Sequence, residues 1–216
     1  MGSFTGFAPQ AFEFYERLTI NNSRTWWNEH RGDHETFVRA PLQALLDEIQ
    51  QEGVSRIYRP YRDVRFSKDK APIKDHQGAI VQVEDAIGYY VQVSAAGLMV
   101  AAGWYAPLGR QVEAYRRAVD GPAGAALEPI VARLAKKYTI DGDPVATRPR
   151  GTDPNHPRLA LLRNRRLIAI ATYDIEPWVH TRAARTRIAK DWQAMSPMVD
   201  WLIDHVGPAS DPDTDT

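Results

Sequence analysis

The densest concentration of reactive side chains lies in one run, RIYRPYRDVRFSKDKAPIKDH, from Arg56 to His76. It sets Arg56, Arg59, Arg62, Arg65, Lys68, Lys70 and Lys74 against Asp63, Asp69 and Asp75, a local charge of +4. A guanidinium is a planar fork that matches phosphate or carboxylate, and an ammonium is a compact charge on a long stem, so the mixture suits a small anion. Asp63, with Asp69, and His76, the one histidine of the run, could carry a proton for such a ligand. The competing reading needs no ligand: the charges are solvated or paired internally as Arg–Asp contacts that hold a long connection in shape.

A second run, TRPRGTDPNHPRLALLRNRRL, places Arg148, Arg150, Arg158, Arg163, Arg165 and Arg166 against Asp153, a local charge of +5. Its Pro- and Gly-rich first half must be a loop. Were this loop to meet the first run, the two would form one cationic cleft with His76 and His156 as proton carriers. The candidate ligand-binding set is therefore Arg62, Arg65, Lys68, Lys70, Lys74, Arg150 and His156, and the candidate catalytic groups are Asp63 and His76.

Other chemistries find less support. His30 and His34 stand at i, i+4 and would share a helix face, with Asp33 nearby, but Gly32 lies between them and no third ligand follows at a diagnostic spacing. Cations crowd Asp63, Asp69, Asp75 and His76 and would repel a metal, so no metal and no cofactor is expected. The chain has no cysteine, which removes disulfides, thiolate nucleophiles and Cys-ligated metals and suits a reducing compartment. No GxxxxGK[ST], GxGxxG, GxSxG or HExxH motif occurs, so phosphate-loop NTPases, dinucleotide-binding dehydrogenases, α/β-hydrolases and zinc proteases lack their signatures. The 27 basic and 27 acidic residues cancel, leaving no whole-protein field to gather nucleic acid or an anionic membrane. The amino terminus does not read as a signal peptide, no apolar run reaches membrane-spanning length, and a cytoplasmic protein is expected.

The elements that must position these residues follow from periodicity. Pro9 opens a helix carrying Phe12, Tyr15 and Leu18, and Asn21-Asn22-Ser23 ends it and caps the next. That second helix starts near Arg24 and runs to Gln51 with a break at Gly32 or Pro41, burying Phe37, Leu42, Leu45, Leu46 and Ile49. On it Trp26 and Trp27 point about 100° apart, so one is expected in the core and one on a cleft.

Alternating and β-branched stretches over 57–66, 79–85, 89–95 and 97–105 predict a mostly antiparallel sheet, with Ala95-Ala96-Gly97 as a turn. In the first of these, Val64 and Phe66 would face inward and Asp63 and Arg65 a ligand. Residues 67–70 then turn, and Pro72 holds Ala71 extended, bringing Lys68, Lys70 and Lys74 near one another. Two amphipathic helices, 108–120 and 125–138, are separated by Gly121-Pro122, a strand covers 166–173, and a last helix covers about 181–206. The prediction is one α+β domain, residues 1–207, its sheet flanked by N-terminal, middle and C-terminal helices, with 208–216 as a disordered polar tail.

Several blocks together resemble a known family. These are Phe7 with the 12–18 helix, Asn21-Asn22, Arg24, Trp26-Trp27, His30-Arg31, the run Arg62 to Lys74, Gly103-Trp104, Arg150-Gly151, His156-Pro157 and Leu161-Leu162. The pattern, above all Arg-Asp-x-Arg-Phe-Ser-Lys-Asp-Lys-x-Pro, resembles the conserved hypothetical family called domain of unknown function 2461 over roughly residues 4 to 205. Ile73 and Trp27 stand where that family more often has an aromatic and a Phe. The resemblance implies a bacterial single-domain protein and carries over no activity, cofactor or catalytic residue. The expectation for function is binding, with turnover an open question, of a small phosphate-bearing anion. The alternatives are a module that docks an acidic protein or nucleic-acid backbone, and an ion-pair scaffold with no ligand.

Overall fold

Apolar alternation between residues 76 and 104 builds the middle of an antiparallel sheet in a computed structural model of the protein, which describes residues 2–49, 51–63, 70–106 and 109–208. Six strands, β1 (Val54–Ile57), β2 (His76–Glu84), β3 (Ile87–Ser94), β4 (Gly97–Trp104), β5 (Thr139–Asp141) and β6 (Leu167–Tyr173), lie in the order β1-β2-β3-β4-β6-β5. Among the described residues seven α-helices accompany them: α1 (Pro9–Ile20), α2 (Arg24–His34), α3 (Ala40–Glu48), α4 (Gly109–Asp120), α5 (Pro122–Leu134), α6 (Leu159–Leu162) and α7 (Ala183–His205). The α+β class read from the sequence is the class observed.

The tight β3–β4 turn falls at Ala95-Ala96, where Gly97 takes a φ of +113°. A side chain at Gly97 would strike the Tyr173 carbonyl, and one at Gly103 the Leu167 carbonyl, so both glycines let β6 approach β4. The three-residue β5 was not anticipated. It is too short to show a period, and its pairing of Ile140 with Ala169 on β6 decides its state.

The break in the second helical region lies at neither Gly32 nor Pro41 but in a wide π turn, Glu35–Arg39, between α2 and α3. Pro41 offers no N–H to the preceding turn and its ring crowds the carbonyl four residues back, so the helix widens ahead of it, with the Ala40 N–H reaching the Glu35 carbonyl. The widening also rotates the buried stripe. Val38 and His34 are buried while Phe37 is only half-buried, and Leu42, Leu45, Leu46 and Ile49 face inward as predicted.

The chain falls into two compact units. The first comprises Met1–Val81, Tyr90–Val100 and Thr172–Lys190. Phe4, Phe7, Phe12, Phe14, Leu18 and Leu42 are among its core residues. Its amino-terminal segment is tied down by Glu48, whose Oε1 accepts from the Ser3 hydroxyl at 2.8 Å and the Phe4 N–H at 2.7 Å, while Arg182 reaches Oε2 at 3.0 Å. These donors hold the Glu48 carboxyl below its ordinary pKa. The second comprises Gln82–Tyr89, Ala101–Ala171 and Asp191–Thr216. It centres on Trp104, Tyr115 and Trp192, and the buried Gln111 side chain joins the Trp104 indole to the carbonyls of Asp85 and Gly207.

Residues 57–66, expected as one strand, form none over 58–63. A single antiparallel bridge, Tyr61 to Ile73, is made instead, flanked by Arg62 N–H to the Pro72 carbonyl at 2.9 Å and Lys74 N–H to the Pro60 carbonyl at 2.8 Å. Each flanking pair lacks its reciprocal bond, because Pro60 and Pro72 have no N–H to donate, and the ladder stops there. The expected inward pair Val64 and Phe66, and the turn from Ser67 to Asp69, lie outside the described residues. Among the described residues no helix is long and apolar enough to cross a membrane.

Candidate functional site

The first unit contains a pocket of about 300 Å³ lined by Arg24, Trp27, Asn28, Tyr61, Arg62 and Pro72. Two pieces of chain make it. Ser23 caps α2, its hydroxyl accepting the Trp26 N–H at 3.2 Å, and from that start Arg24, Trp27 and Asn28 at i, i+3 and i+4 share one helix face. Opposite stands the Tyr61–Ile73 bridge. The two are joined by Asn22, whose side chain donates to the Ile73 carbonyl at 2.9 Å and accepts the Ile73 N–H at 3.1 Å. A primary amide bound at both ends fixes the bridge against the start of α2.

The floor is aromatic and rigid. Trp27 is 5% exposed and packs edge-on to Phe14 at 6.0 Å and Tyr61 at 6.0 Å, and against His34 at 4.8 Å. His34 is itself only 3% exposed. Burial pushes its pKa down to about 4 against the opposing pull of the nearby Gln77 side chain and the Glu35 charge, so it is a neutral core residue at physiological pH. His30 stacks on Trp26 at 4.1 Å and donates from Nδ1 to the Trp26 carbonyl at 2.8 Å. The i, i+4 histidines therefore serve separate packing roles, and among the described residues no group of three or more His, Cys, Asp or Glu is placed to hold a metal ion.

The electrostatics are cationic. Arg62 approaches Asp75 at 3.5 Å, and Asp75 accepts from Nδ1 of His76 at 2.8 Å. Since a carboxylate accepts, Nδ1 carries the hydrogen, which leaves Nε2 of a neutral His76 as the ring's basic atom. Burial works against the Asp75 charge, but the hydrogen bond and charge of His76 and the nearby Arg62 outweigh it and its pKa lies below the ordinary value. Lys74 is half-buried with its ammonium over the Tyr58 ring at 5.5 Å. Desolvation by burial lowers its pKa first, and the like charges of Arg59 and Arg62 add to that shift.

The sequence-predicted residues divide as follows. Arg62 lines the pocket, Lys74 and His76 stand close by through Arg62 and Asp75, and Lys70 and Asp63 are exposed on the same connection. Arg65 and Lys68 lie outside the described residues. Arg150 and His156 belong to the second unit. Arg150 is exposed there, and His156 accepts the Arg158 N–H at Nδ1 (3.1 Å) and turns Nε2 to Asp120 at 3.4 Å. Arg24 and Asn28 were not picked out as ligand groups, although the i, i+3, i+4 spacing with Trp27 carried the signal. The two tryptophans divide as expected: Trp27 is a core residue that forms the back of this pocket, and the half-buried Trp26 lines a second recess with Ile20, Asn21, Asn22, Ser23, Thr25 and Glu29.

No curated protein and no solved structure matches the chain. A family model does, and it covers residues 10–201. That span takes in α2, the Tyr61–Ile73 bridge and both basic runs, and the chain belongs to the family described as conserved hypothetical protein (DUF2461).

Proposed function

We propose that the first unit binds a small phosphate-bearing anion in the pocket between α2 and the Tyr61–Ile73 bridge. The observation that carries this reading is the convergence of two arginines, Arg24 and Arg62, from different elements on one concavity. Two guanidiniums can clamp one phosphate with charge-assisted bonds from both sides. The depressed Lys74 supports it, since an anion would relieve the repulsion among Lys74, Arg59 and Arg62. His76, oriented by Asp75, is the proton carrier of this reading if the ligand is turned over, with Asp63 as the second candidate. A cytoplasmic setting, where phosphorylated metabolites are held, suits the reading and the cysteine-free chain.

The test is calorimetric titration with pyrophosphate, ribose 5-phosphate and adenosine 5′-monophosphate. Arg24→Ala and Arg62→Ala should each weaken binding by about 10- to 100-fold, the worth of one charged hydrogen-bond pair. Arg150→Ala should leave it unchanged. Failure of every anion to bind the unaltered protein would refute the reading. Affinity indifferent to ligand identity and falling steeply with salt would favour the docking module instead.

A further inference from the structure

Tyr61 is more exposed than the other described aromatic side chains of the first unit, which are buried or half-buried. Phe4, Phe7, Phe12, Phe14, Tyr15 and Trp27 are at most 5% exposed, whereas Tyr61 is 50% exposed. Among the described residues it is the one aromatic in the set of large apolar side chains left on the surface. Yet its backbone is held as firmly as a core residue's. It pairs with Ile73, its neighbour Arg62 donates to Pro72 at 2.9 Å, and Asn22 clamps Ile73 from the other side. Trp27 braces the ring edge-on at 6.0 Å. A fixed, half-exposed ring in the wall of a pocket is a stacking platform waiting for a flat partner.

We infer that the ligand of this pocket carries an aromatic ring beside its phosphate, stacked on Tyr61, as a nucleoside monophosphate or an aryl phosphate would. The inference rests on the anion-binding reading above and names its ligand class. Arg24 and Arg62 take the phosphate, Tyr61 takes the face of the ring, and the exposed Asn28 amide, one donor group and one acceptor, meets the ring's polar edge. At about 300 Å³ the pocket is at the small end for ligand sites, which fits one ring with one phosphate rather than a dinucleotide.

Four probes titrated into the full-length protein separate the terms: adenosine 5′-monophosphate, phenyl phosphate, ribose 5-phosphate and adenosine. Both ring-bearing phosphates should bind at least tenfold more tightly than ribose 5-phosphate. Tyr61→Ala should erase that advantage, a loss of roughly 10- to 100-fold, while Tyr61→Phe keeps it. Preference for the monophosphate over phenyl phosphate marks a nucleotide ligand, and the reverse order an aryl phosphate; either supports the inference. Equal affinity of all three phosphates overturns it and leaves the anion site standing. Adenosine binding as tightly as its monophosphate keeps the platform and removes the phosphate grip, and no binding by any probe removes both. Because Tyr61 is half-exposed, unchanged thermal unfolding of the alanine variant assigns the loss to binding rather than folding.

Discussion

The two basic segments carry nearly equal excess charge, +4 over Arg56–His76 and +5 over Thr147–Leu167, but they spend it differently. In the second, arginines are turned inward onto the chain. Arg158, with its side chain 14% exposed, donates to the carbonyls of Val119, Asp120 and Gly121 at 2.6 to 3.2 Å and meets Glu128 at 3.6 Å. These are the orphan carbonyls at the end of α4, where a cation also opposes the negative end of the helix dipole. Arg163 holds the Val145 and Ala146 carbonyls, and Arg165 and Arg166 pair with Asp143 and Asp141 at 2.7 and 2.6 Å. In this segment the arginines brace the chain through its own carbonyls and carboxylates. In the first segment, Arg62 instead lines a pocket and Lys74 is crowded by like charges. Basic composition therefore does not report a site; what matters is which cations face a cavity.

The comparison can be broken at several points. The largest effect is expected at Arg158→Ala, which takes the guanidinium from the Val119 and Asp120 carbonyls: unfolding in urea should show a loss of about 2 to 4 kcal/mol, with ligand affinity unchanged. A fall in affinity without loss of stability would erase the distinction between the segments. Next comes pH. The His34 pKa of about 4 in the folded state lies below the ordinary 6.5, so the unfolded chain binds the proton more readily between those values. Stability is then full above about pH 6.5 and falls as pH drops towards 4, by about 3 kcal/mol in all from this group. His34→Phe should remove most of that slope, as read from urea midpoints at pH 7 and pH 4.5. A smaller effect sharpens the electrostatic picture. An anion in the pocket stabilises the charged form of Lys74 and raises its lowered pKa, so binding at alkaline pH should take up protons. Calorimetry in two buffers of different ionisation enthalpy measures this, and Lys74→Met should abolish it.

Much of the fold was legible because it rests on periodicity. The 3.6-residue stripe of α7 identified Ile188, Trp192, Met195, Met198, Val199, Leu202 and Ile203, all buried except the half-buried Ile203. The β3–β4 turn was visible in Ala95-Ala96-Gly97, and Gly121-Pro122 marked the α4–α5 junction. The alternation misled over 58–63, because it suggests a strand while Pro60 and Pro72 remove the donors that a ladder requires. The site was half legible. Arg62 and Lys74 were chosen for charge, but Arg24 and Asn28 were passed over because neither is unusual alone.

From its residues alone, then, the chain declared its class, most of its helices and strands, and a concentration of cations worth attention, since these follow from local period and composition. Tertiary structure decided which cations face a cavity. That choice depends on contacts far apart in the chain, such as the Asn22 amide on Ile73 and the Arg158 guanidinium on the end of α4, and no local pattern encodes whether an arginine's donors are already occupied.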